Sequence, residues 1–132
     1  MVAGHENPDG DSIGCTLALT HALRALGKDV TPLSADGIPE IYRWLPGADE
    51  VVATAEGPFD FAIVCDASDP ARLGAVGDLV LGAADSVVID HHQVNGGFGR
   101  LRLVDPHAAA TGELVYSLLR DMRAPFSRQI AD

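Results

Sequence analysis

The stretch His5–Gly14 most constrains how this chain can fold, because it places three metal-capable side chains on what must be a turn. The imidazole of His5 and the carboxylates of Asp9 and Asp11 fall within seven consecutive residues. The proline and the glycine between them disfavour a regular helix or strand there. A short apolar start precedes the stretch and a helical pattern follows it. We therefore predict a strand-to-helix turn suited to holding a cation.

Two later apolar runs end in residues of the same kind. Phe59–Cys65 is followed by Asp66, and Ser86–Ile89 is followed by Asp90-His91-His92. Both runs have the length and composition of buried β-strands. In an open parallel sheet, the carboxyl ends of the strands line the ligand crevice. We therefore predict that one set of side chains converges at that edge: His5, Asp9, Asp11, Asp66, Asp90, His91 and His92.

The whole chain alternates short apolar runs with helical patterns, which predicts an α/β fold with a mostly parallel sheet and helices on both faces. Such a fold is a Rossmann-like three-layer arrangement. The predicted strands are Met1–Gly4, Val30–Ser34, Glu50–Ala53, Phe59–Cys65, Ser86–Ile89 and an edge strand at Leu101–Val104. The predicted helices are Ser12–Leu26 with Ser12 as its N-cap, Pro39–Trp44, a weak pattern over Pro70–Ala84, Thr111–Met122, and one that begins at Ser127.

Length and composition bound the class of protein. With 132 residues and 47% hydrophobic residues, the chain is expected to form one globular domain. No apolar run approaches the roughly 20 residues that cross a bilayer, and the first residues do not resemble a secretion signal. A cytoplasmic protein that does not bind membranes is the default expectation. Cys15 and Cys65 fall in predicted helix and strand, where they are expected to fill the core rather than form a disulfide.

The net charge of −10 argues against non-specific or stable duplex nucleic-acid binding, because phosphate contacts need clustered Lys and Arg. The acidic residues of the predicted site would instead be neutralised by bound cations. A homodimer is allowed by the sequence but not indicated by it.

A ligand set of histidines and aspartates is typical of hydrolytic sites for Mn, Fe, Zn or Co. The number of ligands exceeds what one ion needs, so two ions sharing a carboxylate fit better, with Asp66 as the best bridge. Two ions can activate water and stabilise an in-line displacement at phosphorus. His92 is then a candidate to donate a hydrogen bond or proton to the phosphate or leaving group. Asp90 is a candidate to orient a ligand imidazole.

These motifs together resemble the first three motifs of the DHH phosphoesterases. The resemblance lies in His5–Gly14, in Asp66 after an apolar strand, and in Asp90-His91-His92. The segment with Asn95, Phe98-Gly99 and Val104-Asp105-Pro106 is similar to the oligoribonuclease and phosphoadenosine-phosphate phosphatase branch. The resemblance implies a DHH domain with two manganese ions, Mg, Co, Fe or Zn being alternatives. It places one ion on His5, Asp9 and Asp66, the other on Asp11, Asp66 and His91, and His92 against the phosphate.

Two departures from the family pattern qualify the expected site. The Ser-Ser-Thr run of many members is Ala109-Ala110-Thr111 here, which weakens any role for those hydroxyls. The fourth motif, with a further metal-binding Asp, and the smaller substrate-binding domain are expected beyond residue 132. Residues 1–132 are accordingly expected to be a DHH catalytic domain that is weak or inactive by itself.

The expected function is manganese-dependent hydrolysis of phosphodiester or phosphomonoester bonds in short oligonucleotides or small nucleotide phosphates. Three alternatives stay open at this point. The chain could act on a cyclic dinucleotide, or on pyrophosphate or polyphosphate. It could be a metal-binding interaction module without turnover. It could also be a metal-free α/β domain with acidic loops.

Overall fold

The computed structural model describes residues 1–67, 69–93 and 97–132. Within these residues, five strands form one sheet in the order β2-β1-β3-β4-β5, and each neighbouring pair is parallel. The predicted α/β fold with a parallel sheet is confirmed, and so is the edge position of the last strand. The strands are β1 Val2–Ala3, β2 Pro32–Leu33, β3 Ala62–Cys65, β4 Ser86–Asp90 and β5 Leu101–Val104.

In the order of the described elements, a helical segment follows β1, β2, β3 and β5, whereas β5 follows β4 directly. The α-helices are α1 Gly10–Ala25, α2 Gly77–Leu81, α3 Thr111–Asp121 and α4 Arg128–Ala131. Short 3₁₀ segments cover Glu40–Tyr42, Ala48–Glu50 and Pro70–Val76. No helix in the described part of the chain combines the length and the apolar character that a bilayer crossing needs.

Both faces of the sheet are covered by helices, as predicted. Alternate residues of β3 point to opposite faces, because successive side chains of a strand alternate. Ala62 and Val64 pack in one buried cluster with Leu73 and Val80, from Pro70–Val76 and α2. Their neighbour Cys65 packs in the second cluster, with α1 and α3. The sheet is therefore the central layer of three.

Helix α1 starts earlier than predicted, and Ser12 is not its N-cap. The N-cap is Asp9, whose Oδ1 accepts the amides of Asp11 at 3.1 Å and Ser12 at 3.0 Å. The Ser12 hydroxyl instead accepts the amide of His5 at 3.2 Å. The prediction was wrong because Asp9 was considered only as a ligand, although Asp is as good an N-cap as Ser.

Four of the predicted strands are shorter in the structure, and β1 and β2 span only two residues each. β3 starts at Ala62 rather than Phe59, whose carbonyl accepts the Ala84 amide at 3.1 Å. The predicted strand Glu50–Ala53 is reduced to a single bridge between Leu33 and Val52.

The weak helical pattern over Pro70–Ala84 is a 3₁₀ segment followed by α2. Gly74 interrupts it with a φ of 54°, a conformation that suits glycine.

Both cysteines are core residues, as predicted. Cys15 and Cys65 are buried in the cluster between the sheet and α1 and α3, and both are free thiols. Burial raises the pKa of each thiol far above its ordinary range, so both stay protonated at neutral pH. Asn95, which belongs to the segment similar to the oligoribonuclease branch, lies outside the described residues.

Candidate metal centre

The predicted site residues meet at the carboxyl edge of the sheet. His5 lies two residues after β1, Asp66 directly follows β3, and His91 directly follows β4. Since β1, β3 and β4 are adjacent and parallel, the three strands end at the same edge. The loops that follow them bring the remaining acids and His92 to the same place.

Asp66 is the centre of this arrangement. Its Oδ2 lies 3.4 Å from His5 Nε2, and its Oδ1 lies 3.8 Å from His91 Nε2 and 3.7 Å from His92 Nδ1. Its side chain is nearly fully buried. Asp66 also has a φ of 61°, which is uncommon for a residue other than glycine. Such strain persists where the surrounding structure fixes it, often at functional sites. The two oxygens of Asp66 approach different imidazoles, Oδ2 that of His5 and Oδ1 those of His91 and His92.

Asp9 and Asp11 form the rim of the site at the start of α1. Asp9 Oδ1 lies 3.8 Å from His5 Nε2, and Asp11 Oδ2 lies 3.9 Å from His91 Nε2. The Asp9 side chain is 64% exposed and that of Asp11 is 22% exposed, in contrast to the buried Asp66. The site therefore opens to solvent on the side of α1, where a substrate could enter.

Among the described residues, two groups have ligand atoms that all lie within 4.8 Å of one another. They are His5, Asp9 and Asp66, and Asp66, His91 and His92. Asp66 belongs to both groups, as a bridging carboxylate would.

Backbone carbonyls fix the orientation of two imidazoles. His5 Nδ1 lies 2.7 Å from the carbonyl oxygen of Glu6, and His91 Nδ1 lies 3.2 Å from that of Ala108. A carbonyl oxygen only accepts, so each Nδ1 carries the hydrogen and donates it. Each Nε2 then presents its lone pair to the carboxylates. This is the tautomer in which a histidine binds a metal through Nε2.

Asp90 orients His92. Its Oδ1 accepts the Nδ1–H of His92 at 2.7 Å and the His92 amide at 3.2 Å, and Asp90 is fully buried. From the sequence, Asp90 is expected to orient a ligand imidazole. In the structure the carbonyl of Ala108 holds the ring of His91, and Asp90 holds the ring of His92. His92 Nε2 is consequently the nitrogen directed away from Asp90.

Burial raises the pKa of Asp66, and the nearby charges of Asp11 and Asp9 raise it further. The hydrogen bond from Thr111 and the proximity of His92 act in the opposite direction. Several carboxylates close together repel one another. A divalent cation would relieve this repulsion, and the imidazole and carboxylate donors are ligands that such cations take. The residues present therefore fit a divalent metal site.

Helix α3 contributes to the site in a way that the sequence does not predict. Thr111 donates its amide to Asp11 Oδ2 at 2.7 Å and its hydroxyl to Asp66 Oδ1 at 2.8 Å. Gly112 donates its amide to Asp11 Oδ1 at 2.9 Å. In the sequence, Thr111 stands out only as the one hydroxyl that remains of the family's Ser-Ser-Thr run, and that pattern identifies no partner far away in the chain.

Two curated proteins are similar in sequence to this chain. It is 36% identical over 132 residues to the "Bifunctional oligoribonuclease and PAP phosphatase NrnA" of Thermus thermophilus, covering 98% of this chain and 39% of that protein. It is 33% identical over 116 residues to the protein of the same name in Bacillus subtilis, covering 86% of this chain and 36% of that protein. The chain thus spans less than two fifths of the length of these relatives.

Solved structures share its fold. An exopolyphosphatase-related protein from Bacteroides fragilis superposes with a TM-score of 0.83 at 27% identity, covering 92% of this chain and 38% of that one. A putative family II inorganic pyrophosphatase from Methanococcus jannaschii, at 21% identity, has the same fold with a TM-score of 0.66. That match covers 98% of this chain and 44% of the other.

The model of the DHH family N-terminal domain matches residues 1–132. The match includes all three strand ends that form the site. This chain belongs to the DHH family.

Proposed function

We propose that this chain is a manganese-dependent phosphoesterase domain that hydrolyses short oligonucleotides or small nucleotide phosphates. The observation that carries the proposal is the meeting of His5, Asp66 and His91 from three separate strand ends. The carboxylate of Asp66 lies 3.4 Å from His5 Nε2 and 3.8 Å from His91 Nε2. The names of the two curated relatives support the substrate class. The choice of manganese rests on the mixed imidazole and carboxylate donors, which also suit Mg, Co, Fe or Zn.

The proposed ligands fall into two sets that share Asp66. His5, Asp9 and Asp66 would hold one ion, and Asp11, Asp66 and His91 would hold the other. Bound divalent ions supply Lewis acidity, which activates water for attack at phosphorus and neutralises charge on the phosphate. Asp66 suits the shared position because its Oδ2 lies near the imidazole of His5 and its Oδ1 lies near that of His91. Its burial keeps bulk water from competing for those oxygens.

His92 is proposed to act on the substrate rather than as a ligand. Its Nδ1 is held by Asp90, and its side chain is 40% exposed, more than that of His91. The hydrogen bond from Nδ1 to Asp90 leaves His92 Nε2 available to donate a hydrogen bond or proton to the leaving oxygen. Asp90 therefore contributes to catalysis through the orientation of His92.

One other candidate has support from a specific observation. The Bacteroides fragilis protein that superposes on this chain is described as exopolyphosphatase-related. Polyphosphate carries no base, so an enzyme that acts on it needs no contacts that recognise a nucleoside. The two candidate functions are therefore separated by comparing the rates at which the chain hydrolyses a dinucleotide, phosphoadenosine phosphate and tripolyphosphate.

The proposal is tested first by metal binding and then by hydrolysis. We expect manganese to raise the melting temperature of the chain. At a manganese concentration one hundred times its dissociation constant, the free energy of unfolding should increase by about 2.7 kcal/mol. Asp66→Asn should abolish this shift, because it removes the shared charge. Hydrolysis of the three substrates is then measured with manganese present, as mononucleotide formed from the dinucleotide and as phosphate released from the other two. Absence of any metal-dependent shift in the unsubstituted chain would contradict the proposed metal centre, and a preference for tripolyphosphate would contradict the nucleotide substrate class.

A further inference from the structure

The amino end of α3 contacts carboxylates on both sides of the candidate metal centre. The hydroxyl of Thr111 donates to Asp66 Oδ1 at 2.8 Å, and its amide donates to Asp11 Oδ2 at 2.7 Å. The next amide, that of Gly112, donates to the other oxygen of Asp11 at 2.9 Å. Two consecutive residues of one helix therefore fix acids that come from α1 and from the end of β3.

Asp11 acts as the cap that α3 does not supply for itself. The N-cap of α3 is Ala110, which has no side-chain acceptor, so the first amides of the helix need partners elsewhere. Asp11 lies on the neighbouring helix α1, and its carboxylate accepts hydrogen bonds from two of these α3 amides. Glu113 accepts the amide of Ala109 at 3.0 Å, which ties down the loop just before the helix. The start of α3 is therefore held rigidly against the site.

Close approach of the α3 backbone is required for these bonds. A Cβ at Gly112 would lie 3.3 Å from Asp11 Oδ1, closer than a side-chain carbon ordinarily sits. Thr111 is fully buried, so water does not compete with its hydroxyl for Asp66. A carboxylate oxygen has two acceptor positions. The bond from Thr111 therefore leaves a second lone pair of Asp66 Oδ1 available to a metal ion.

We propose that Thr111 is a positioning residue of the metal centre, whose hydroxyl orients Asp66 and whose amide orients Asp11 toward the cations. The inference rests on the metal centre proposed above. The hydroxyl fixes the rotation of the Asp66 carboxylate about its terminal bond, so that both oxygens stay directed at the two sets of ligands. Without the hydroxyl, the carboxylate samples other rotations and the ions bind less tightly.

The test compares Thr111→Val with Thr111→Ser. Valine keeps the shape and the amide but removes the hydroxyl, whereas serine keeps the hydroxyl and loses a methyl group. Manganese affinity is measured without substrate, from the electron paramagnetic resonance signal of free Mn²⁺ during titration. We expect Thr111→Val to bind manganese about tenfold more weakly and Thr111→Ser to bind within about twofold of the unsubstituted chain. If the valine variant does not fold, Thr111→Ala against Thr111→Ser makes the same comparison, since both lack the methyl group.

The possible outcomes separate this inference from the one it rests on. Manganese binding by the unsubstituted chain, together with equal affinity in Thr111→Val or in Thr111→Ala, would overturn the positioning role alone. An equal loss in Thr111→Ser would also overturn it, because the methyl group rather than the hydroxyl would then be responsible. No manganese binding by the unsubstituted chain would overturn both the metal centre and the role of Thr111.

Discussion

His5 and Asp66 are brought together by the register of two parallel strands. Val2 pairs with Ile63 and Ala3 pairs with Val64 in the β1–β3 ladder. Continuing the same register past the ends of the strands places His5 opposite Asp66, and their side chains approach to 3.4 Å. The pairing of Cys65 with Ile89 in the β3–β4 ladder extends in the same way toward Asp66 and Asp90. Strand register alone thus assembles the base of the candidate metal centre.

Asp9 is expected to have two separable roles, as the N-cap of α1 and as a metal ligand. Asp9→Ala removes both, so the metal-free chain should lose about 0.5–2 kcal/mol of stability along with manganese affinity. Asp9→Ser keeps a capping oxygen without the charge. It should therefore retain the stability of the metal-free chain while still losing manganese affinity. Urea unfolding and manganese titration of both variants check this, and full manganese affinity in Asp9→Ser would exclude Asp9 as a ligand.

Asp66 is expected to destabilise the metal-free chain at neutral and higher pH. Burial raises the pKa of Asp66, so between its ordinary value and its raised value the native state binds more protons than the unfolded state. Stability then falls as the pH rises through that window. Asp66→Asn cannot ionise and still offers Thr111 an acceptor. It should raise the melting temperature of the metal-free chain at about pH 8, and the gain should vanish below the ordinary carboxyl pKa of about 3.9.

Melting curves of both proteins across this pH range, with a chelator present, provide the measurement. A gain that does not change with pH would show that the effect of Asp66→Asn comes from packing rather than from its charge.

Gly4 is expected to tolerate no side chain. A Cβ there would collide with the hydroxyl of Ser12, which packs α1 against the end of β1. Gly4→Ala should therefore destabilise the chain by about 1–3 kcal/mol, as overpacking usually does. Gly14→Ala is the matched control within α1, because a Cβ at Gly14 meets nothing within 4 Å. It should stabilise the chain by about 0.5–1 kcal/mol, since alanine favours helix over glycine. Equal effects of the two substitutions in urea unfolding would contradict this account.

Cys15 and Cys65 are expected to be unreactive in the native chain. Burial raises the pKa of both thiols, and only the thiolate attacks a disulfide reagent. The native chain should therefore react at least about tenfold more slowly than the chain in urea, where both thiols are exposed. The release of the coloured thiol from an aromatic disulfide reagent measures both rates. Rapid reaction of either thiol in the native chain would mean that its surroundings open easily.

Much of the fold and of the site could be predicted from local sequence. Apolar runs with polar residues at their ends gave the strands, and periodic patterns gave α1 and α3. The general rule that parallel strands end at one edge then brought His5, Asp66 and His91 together. The first and last residues of the helices and strands were less predictable, because they depend on the hydrogen-bond partner of each backbone group. Asp9 rather than Ser12 caps α1 for this reason.

The sequence by itself determined the α/β alternation, the core positions of both cysteines, and the residues that meet at the edge of the sheet. These depend on periodicity and on residue type, which are local properties. Only the tertiary structure decided that Asp90 holds His92, that Ala108 holds His91, and that Thr111 holds Asp11 and Asp66. Each of these hydrogen bonds depends on side-chain direction or on the packing of α3 against α1, and no pattern in the sequence records either.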